Sequence, residues 1–140
     1  MSQENVELAE ALFTTTGDFD KQAVLAALPE LIAQTCTPDI EWVEDPRRAD
    51  GAVHHGHEGV RESWERWLEH WDDWAGEAEQ FIDCGENVLV IARERGRGST
   101  SGASVSSRNY IVLTLREGKI ARYREFYDEH EAMAAAGLRE

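Results

Sequence analysis

Trp42-Val43-Glu44-Asp45-Pro46, followed at short range by His54-His55-Gly56-His57-Glu58-Gly59-Val60, sets an acid at the end of an apolar strand, just ahead of a loop that feeds an aromatic helix. A carboxylate so placed can be enclosed by apolar walls, and desolvation then raises its pKa toward the range useful for moving protons. Asp45 is the candidate proton-transfer residue. Its competing role is that of a turn former ahead of Pro46, a position acids take for local hydrogen bonding.

Upstream of that stretch, Val6, Ala9, Leu12 and Phe13 share a face at helical spacing and predict a helix from about Asn5 to Thr15, ended by Gly17-Asp18. Asp20 caps a second helix in which Val24, Leu25 and Leu28 line one side, until Pro29 breaks or restarts it before Leu31 and Ile32. Thr37-Pro38-Asp39 then turns the chain into a strand over Ile40 to Glu44.

Downstream, a loop from Arg47 to Ala52 leads to the histidines and a third helix. Val60, Trp64, Trp67, Leu68 and Trp71 recur there at spacings of three and four, so a broad aromatic stripe is buried. Trp67 and Leu68 read as core, and one or two of the other tryptophans as facing a cavity. After Gly76 the pattern changes to strands: Glu77 to Asp83, Asn87 to Arg95, Ser104 to Leu115 and Lys119 to Tyr127, with short turns at Cys84-Gly85-Glu86 and Arg116-Glu117-Gly118. Gly96 to Ser107 predicts a mobile hairpin tip and not a phosphate cradle, since it opens no helix. A last helix, Glu129 to Ala136, ends at Gly137. Helices first and an antiparallel meander afterwards predict one α+β domain over residues 1–140, with helices packed on one face of a curved sheet and a ligand space between them.

Lys plus Arg total 14 against 28 Asp plus Glu, a formal charge of -14. That excess argues against a nucleic acid or an anionic membrane as partner and suits a neutral or cationic small molecule, although it also serves solubility. Cys36 and Cys84 have no paired spacing, the amino terminus carries no basic or apolar leader, and no stretch approaches a membrane span, so a cytoplasmic protein is expected.

The element order, the Trp42-to-Pro46 stretch, His55-Gly56-His57-Glu58 and the closing Gly118-Lys119-Ile120-Ala121-Arg122-Tyr123 resemble the NTF2-like superfamily, in particular its SnoaL-like branch, over nearly the whole chain. The resemblance implies a cone with a pocket, but not one reaction, because isomerases, polyketide cyclases, epoxide hydrolases, dehydratases and binding domains share it. A ketosteroid isomerase has its general base in a similar Val-Glu-Asp-Pro context, which matches Asp45 here. The positions matching its phenol and its protonated acid fall near Glu10 and at Ile111, so both oxyanion donors are absent and a base would need other electrophilic partners.

The same register and strand alternation turn Tyr123, Glu125, Tyr127, Asn109, Ile111 and Leu113 inward, and Arg108, Tyr110, Val112 and Phe126 outward. The resemblance assigns the outer sheet face to a homodimer. Asp45, His55 and Glu125 are the catalytic candidates; Trp42, Trp64, Asn109, Ile111, Tyr123 and Tyr127 are the ligand-binding ones. Glu125 serves either as an acid partner of Asp45 or in a salt bridge to a neighbouring arginine. His54, His55 and His57 lack the ligand set of a zinc site, and no Walker loop, nucleophile elbow or dinucleotide fingerprint is present, so neither metal nor cofactor is expected. The expected function is cofactor-free isomerisation, cyclisation or hydration of a small apolar molecule through Asp45; the competing one is a binding or association domain without turnover.

Overall fold

The structure, a computed structural model, describes residues 2–12, 21–47, 51–98, 102 and 104–138. Its elements are α1 (Ser2–Leu12), α2 (Lys21–Thr35), β1 (Cys36–Val43), β2 (Val53–His55), α3 (Gly56–Glu69), β3 (Trp71–Cys84), β4 (Asn87–Gly98), β5 (Ser104–Arg116), β6 (Lys119–Phe126) and α4 (Glu129–Ala136). The six strands form one sheet in the order β2-β1-β6-β5-β4-β3. The expected α+β layout is present, with one difference: β1 pairs with β6 in parallel, so the sheet is mixed. Phe13, Thr15, Gly17-Asp18 and the Asp20 cap lie outside the described residues.

Alternation along the strands divides the core into two layers. On the face toward α1, α2 and α3, Val88, Val90, Ile111, Leu113, Ile120 and Trp42 are buried together. On the opposite face Leu89, Tyr110 and Val112 are buried against Ala132 and Ala136 of α4. The inward and outward sets expected for β5 and β6 are therefore in place except for Tyr127, which lies beyond the end of β6 and in neither layer, and α4 already covers part of the outer face. Asp128 caps α4 by accepting from the Glu131 N–H, and Gly137 closes it in the left-handed conformation. The Glu117-Gly118 hairpin has φ of 53° and 82° at its two central residues, the geometry that matches the twist of antiparallel strands.

Several boundaries differ from the sequence reading: Val53–His55, read as loop, is β2, and residues 96–98 and 104–107, read as hairpin tip, belong to β4 and β5. Pro29 lies inside α2 without breaking it, because Leu28 and Ile32 on either side are both anchored in the core, and that burial offsets the lost backbone bond. Thr37-Pro38-Asp39 is not a turn; α2 runs directly into β1, whose pairing is irregular between Cys36 and Glu41. Trp71 begins β3 instead of continuing α3, drawn into the ladder by pairing with Gly98. Among the described residues no helix is long and apolar enough to cross a membrane.

Candidate functional site

Between α2, α3 and the inner face of the sheet lies a cavity of about 410 Å³. Val60, Ser63, Trp64 and Trp67 of α3 line it, at the three-and-four spacing that puts side chains on one helix face. Trp67, expected as core, is thus part of the cavity wall, as is Trp64. Leu28 and Ile32 of α2 supply the aliphatic wall. Trp42 and Tyr123, paired across the parallel strands, stack with ring centroids 3.6 Å apart and planes 2° from parallel, and both line the cavity. Such a stack holds two large rings in fixed orientation beside the ligand space.

Polar groups on the sheet wall follow the register. Ile111 pairs with Glu125 on β6, Ala92 with Asn109, and Glu94 of β4 is two residues beyond Ala92. Glu125, Asn109 and Glu94, all lining the cavity, therefore run diagonally across three strands on one face. Glu125 is buried, and its Oε1 accepts from the Asp45 N–H at 3.2 Å. Asn109 is 2% exposed, and its Oδ1 has no hydrogen-bond partner. Ile111, also in the wall, is apolar filling between these groups.

Asp45 is placed differently from the expectation. Its side chain is fully buried, but it does not line the cavity. Oδ1 accepts from the Arg47 backbone N–H at 2.8 Å and from Arg47 Nε at 2.9 Å; Oδ2 accepts from Arg47 Nη2 at 2.6 Å and from the Tyr127 N–H at 2.7 Å. Arg47 also reaches Glu131 of α4 at 2.9 Å. The Arg47 guanidinium, with the two backbone donors, holds the Asp45 carboxyl down at about 2. A carboxylate that weakly basic and that fully engaged is a structural clamp, not a proton acceptor at neutral pH. The physical reason is parity: Trp42 points inward, so Glu44 does also, and Asp45 turns to the other side.

Glu44 is the acid of that pair on the helix side. Its Oε1 accepts from the Ala52 N–H at 3.1 Å, and its Oε2 accepts a hydrogen bond from Ser63 Oγ. His54 Nε2 lies 3.4 Å from the same Oε2. The strand pairing Trp42↔His54 carries the inward parity across to β2, so His54 is buried while His55 is exposed on the other side. His55 is not in the cavity wall, contrary to expectation. His57 is held by a 3.0 Å contact from Nε2 to the Cys36 carbonyl, in which the imidazole N–H donates. Gly59 permits the close seat of α3 on β2, since a Cβ there would meet the His54 Cβ at 2.9 Å. Among the described residues no three His, Cys, Asp or Glu side chains converge as a metal site.

Of the sequence candidates, Trp42, Trp64, Asn109, Ile111, Tyr123 and Glu125 meet at the cavity. Asp45, His55 and Tyr127 do not line it, Tyr127 offering its backbone N–H to Asp45 instead. Sequence reading missed Ser63, Glu77 and Glu94 in the wall and Glu44 with His54 behind it. The period-two signal starting from Trp42 was sufficient to find Glu44; nothing in the sequence marks Ser63 or Glu94.

The family model described as a SnoaL-like domain matches residues 6–123. Among solved structures, an NTF2-like protein of unknown function from Burkholderia pseudomallei is similar with a TM-score of 0.71 at 19% identity, covering 94% of this chain and 95% of that one. TerC, crystallised with polyporic acid, gives 0.68 at 22% identity over 94% of this chain and 98% of that one. A protein with a ketosteroid isomerase-like fold from Catenulispora acidiphila, in complex with trimethylamine, gives 0.63 at 19% over 84% and 92%. No curated protein matches the chain. At these identities the structural likeness establishes the fold, and the family model spans most of the sequence. The chain belongs to the SnoaL-like domain family and has its NTF2-like fold.

Proposed function

We propose that this protein binds a small, largely apolar molecule in the cavity between α3 and the sheet. The observation that supports the reading is a mostly apolar and aromatic enclosure with a small number of polar groups, Glu125, Asn109 and Glu94 along one diagonal of the sheet and Ser63 on the facing helix, the pattern of a ligand site. Two structural neighbours were crystallised with polyporic acid and with trimethylamine, so the fold alone does not select one ligand chemistry. A thermal-shift screen of apolar carbonyl compounds, epoxides and amines, followed by crystallography of the best compound, tests it. Density between Trp64 and Tyr123 supports the reading; a ligand bound only elsewhere, or no stabilising compound, removes it.

Turnover is the second reading, favoured by Glu125: a carboxylate in the cavity wall, oriented by the Asp45 N–H, takes the position the sequence assigned to Asp45. Cofactor-free isomerisation, cyclisation or hydration would then use Glu125 for proton transfer. Chemical change of a bound compound that Glu125→Gln abolishes supports this reading. Recovery of the compound unchanged leaves a binding domain.

The homodimer through the outer sheet face remains a proposal resting on the family resemblance. With α4 over Leu89, Tyr110 and Val112, the contact would use the adjoining strip bearing Arg93, Arg108 and Glu79. Sedimentation showing a monomer at micromolar concentration would remove it. The cytoplasmic reading rests on composition and on two cysteines that are both free.

A further inference from the structure

The charge of the cavity wall selects among possible ligands. Glu77, Glu94 and Glu125 line it, and no Lys, Arg or His does so among the described residues. An anionic ligand would meet the carboxylates of Glu94 and Glu125 where water is partly excluded, with Glu77 an exposed residue, and like-charge repulsion is stronger there than in bulk water. A cation meets the reverse field, and Trp64 and Trp67 offer apolar surface to the uncharged part of such a ligand.

Asn109 supplies a second and independent observation. Its Oδ1 is buried at 2% exposure in the cavity wall and lacks a donor. A buried acceptor left unpaired is costly, and a ligand N–H relieves that cost while an acceptor-only ligand cannot. The register places Asn109 on the diagonal between Glu125 and Glu94, so one donor group with several hydrogens can reach Asn109 and a carboxylate together.

We propose that the ligand of this cavity is an amine: an apolar body carrying a protonated nitrogen, whose N–H groups are received by Asn109 and Glu125 while the apolar part lies against Trp64 and Trp67. This rests on the ligand-binding reading above and names the chemical class.

The test is calorimetric titration of the full chain at neutral pH with three molecules of one skeleton: naphthylmethylamine, naphthylmethanol and naphthoate. The amine binds at least about tenfold tighter than the alcohol, and naphthoate binds weakest. Glu125→Gln collapses the amine-to-alcohol preference toward unity, and Asn109→Leu reduces it by several-fold. If Glu125→Gln does not fold, as circular dichroism would reveal, Glu94→Gln reports instead, lowering the preference by about threefold. An alcohol or naphthoate that binds as tightly as the amine overturns the amine assignment and leaves the ligand-binding reading standing. So does a preference unmoved by these substitutions. Failure of all three probes to bind overturns both.

Discussion

The backbone N–H of Asp45 donates to Oε1 of Glu125 at 3.2 Å, while the Asp45 side chain points away to Arg47 and Tyr127. One residue thus serves two sides of the sheet. Its main chain orients the acid of the cavity, and its carboxylate fastens the loop after β1 to the end of β6. Through Arg47 and Glu131 the same fastening extends to α4.

Asp45→Asn should destabilise the fold by about 1–3 kcal/mol, because the new amide presents donors where Arg47 and the Tyr127 N–H already donate. Urea unfolding monitored by tryptophan fluorescence measures it. A variant with an unchanged midpoint and slope would show that the clamp contributes nothing.

The pH dependence has a definite sign. Asp45 titrates at about 2 in the folded chain against an ordinary 3.8, so the unfolded chain takes up this proton first. The contribution is fully present above about pH 4 and is lost as pH falls toward about 2. Its size at neutral pH is roughly 1–2 kcal/mol, allowing for solvent screening at the half-exposed Arg47. The stability gap between wild type and Asp45→Asn should therefore narrow over that acid range. A gap that is the same at both ends would contradict the assignment.

Gly51→Ala should lower stability by about 1–3 kcal/mol. A Cβ at Gly51 would stand 2.3 Å from the Asp45 carbonyl oxygen, a backbone atom with no rotamer to escape into. Because displacement of Asp45 also moves its N–H away from Glu125, ligand affinity should fall with it. Differential scanning calorimetry and a titration of the same sample provide both readings, and a variant indistinguishable from wild type would refute the close approach.

The two thiols should differ in reactivity. Burial pushes the Cys36 thiol up, and Cys36 lies in the cavity wall; Cys84 is also raised by burial but is only partly covered. Maleimide labelling followed by mass spectrometry should modify Cys84 first, with Cys36 following only as the chain opens. A cavity ligand should slow Cys36 further and leave Cys84 unaffected. Equal labelling rates would mean that the cavity is more open than its walls indicate.

Much of the architecture was legible from period and punctuation. Asn109, Ile111 and Leu113 alternate with Arg108, Tyr110 and Val112, which identifies a two-sided strand; Glu117-Gly118 and Gly137 mark a hairpin and a helix end by conformations that few residues adopt. Local energies settle such features, so neighbouring residues suffice to read them. Pro29 and Trp71 were misread for the complementary reason: burial of Leu28 and Ile32, and a ladder partner at Gly98, are supplied by distant parts of the chain.

For the site, the aromatic and aliphatic lining followed from helical spacing and strand parity, and Glu125 and Asn109 from the inward register of β5 and β6. Which of two adjacent acids, Glu44 or Asp45, turns toward the helices follows the parity of Trp42, whereas which of two adjacent histidines, His54 or His55, does so was set by the pairing of β1 with β2. The sequence by itself determined the α+β class, the family resemblance and part of the wall, Trp42, Trp64, Asn109, Ile111, Tyr123 and Glu125, because these depend on periodicity and residue type. Only the tertiary structure decided that Asp45 is clamped by Arg47, that Glu125 is the acid at the cavity, and that α4 lies over the outer face, because each depends on residues from separate elements meeting across the sheet.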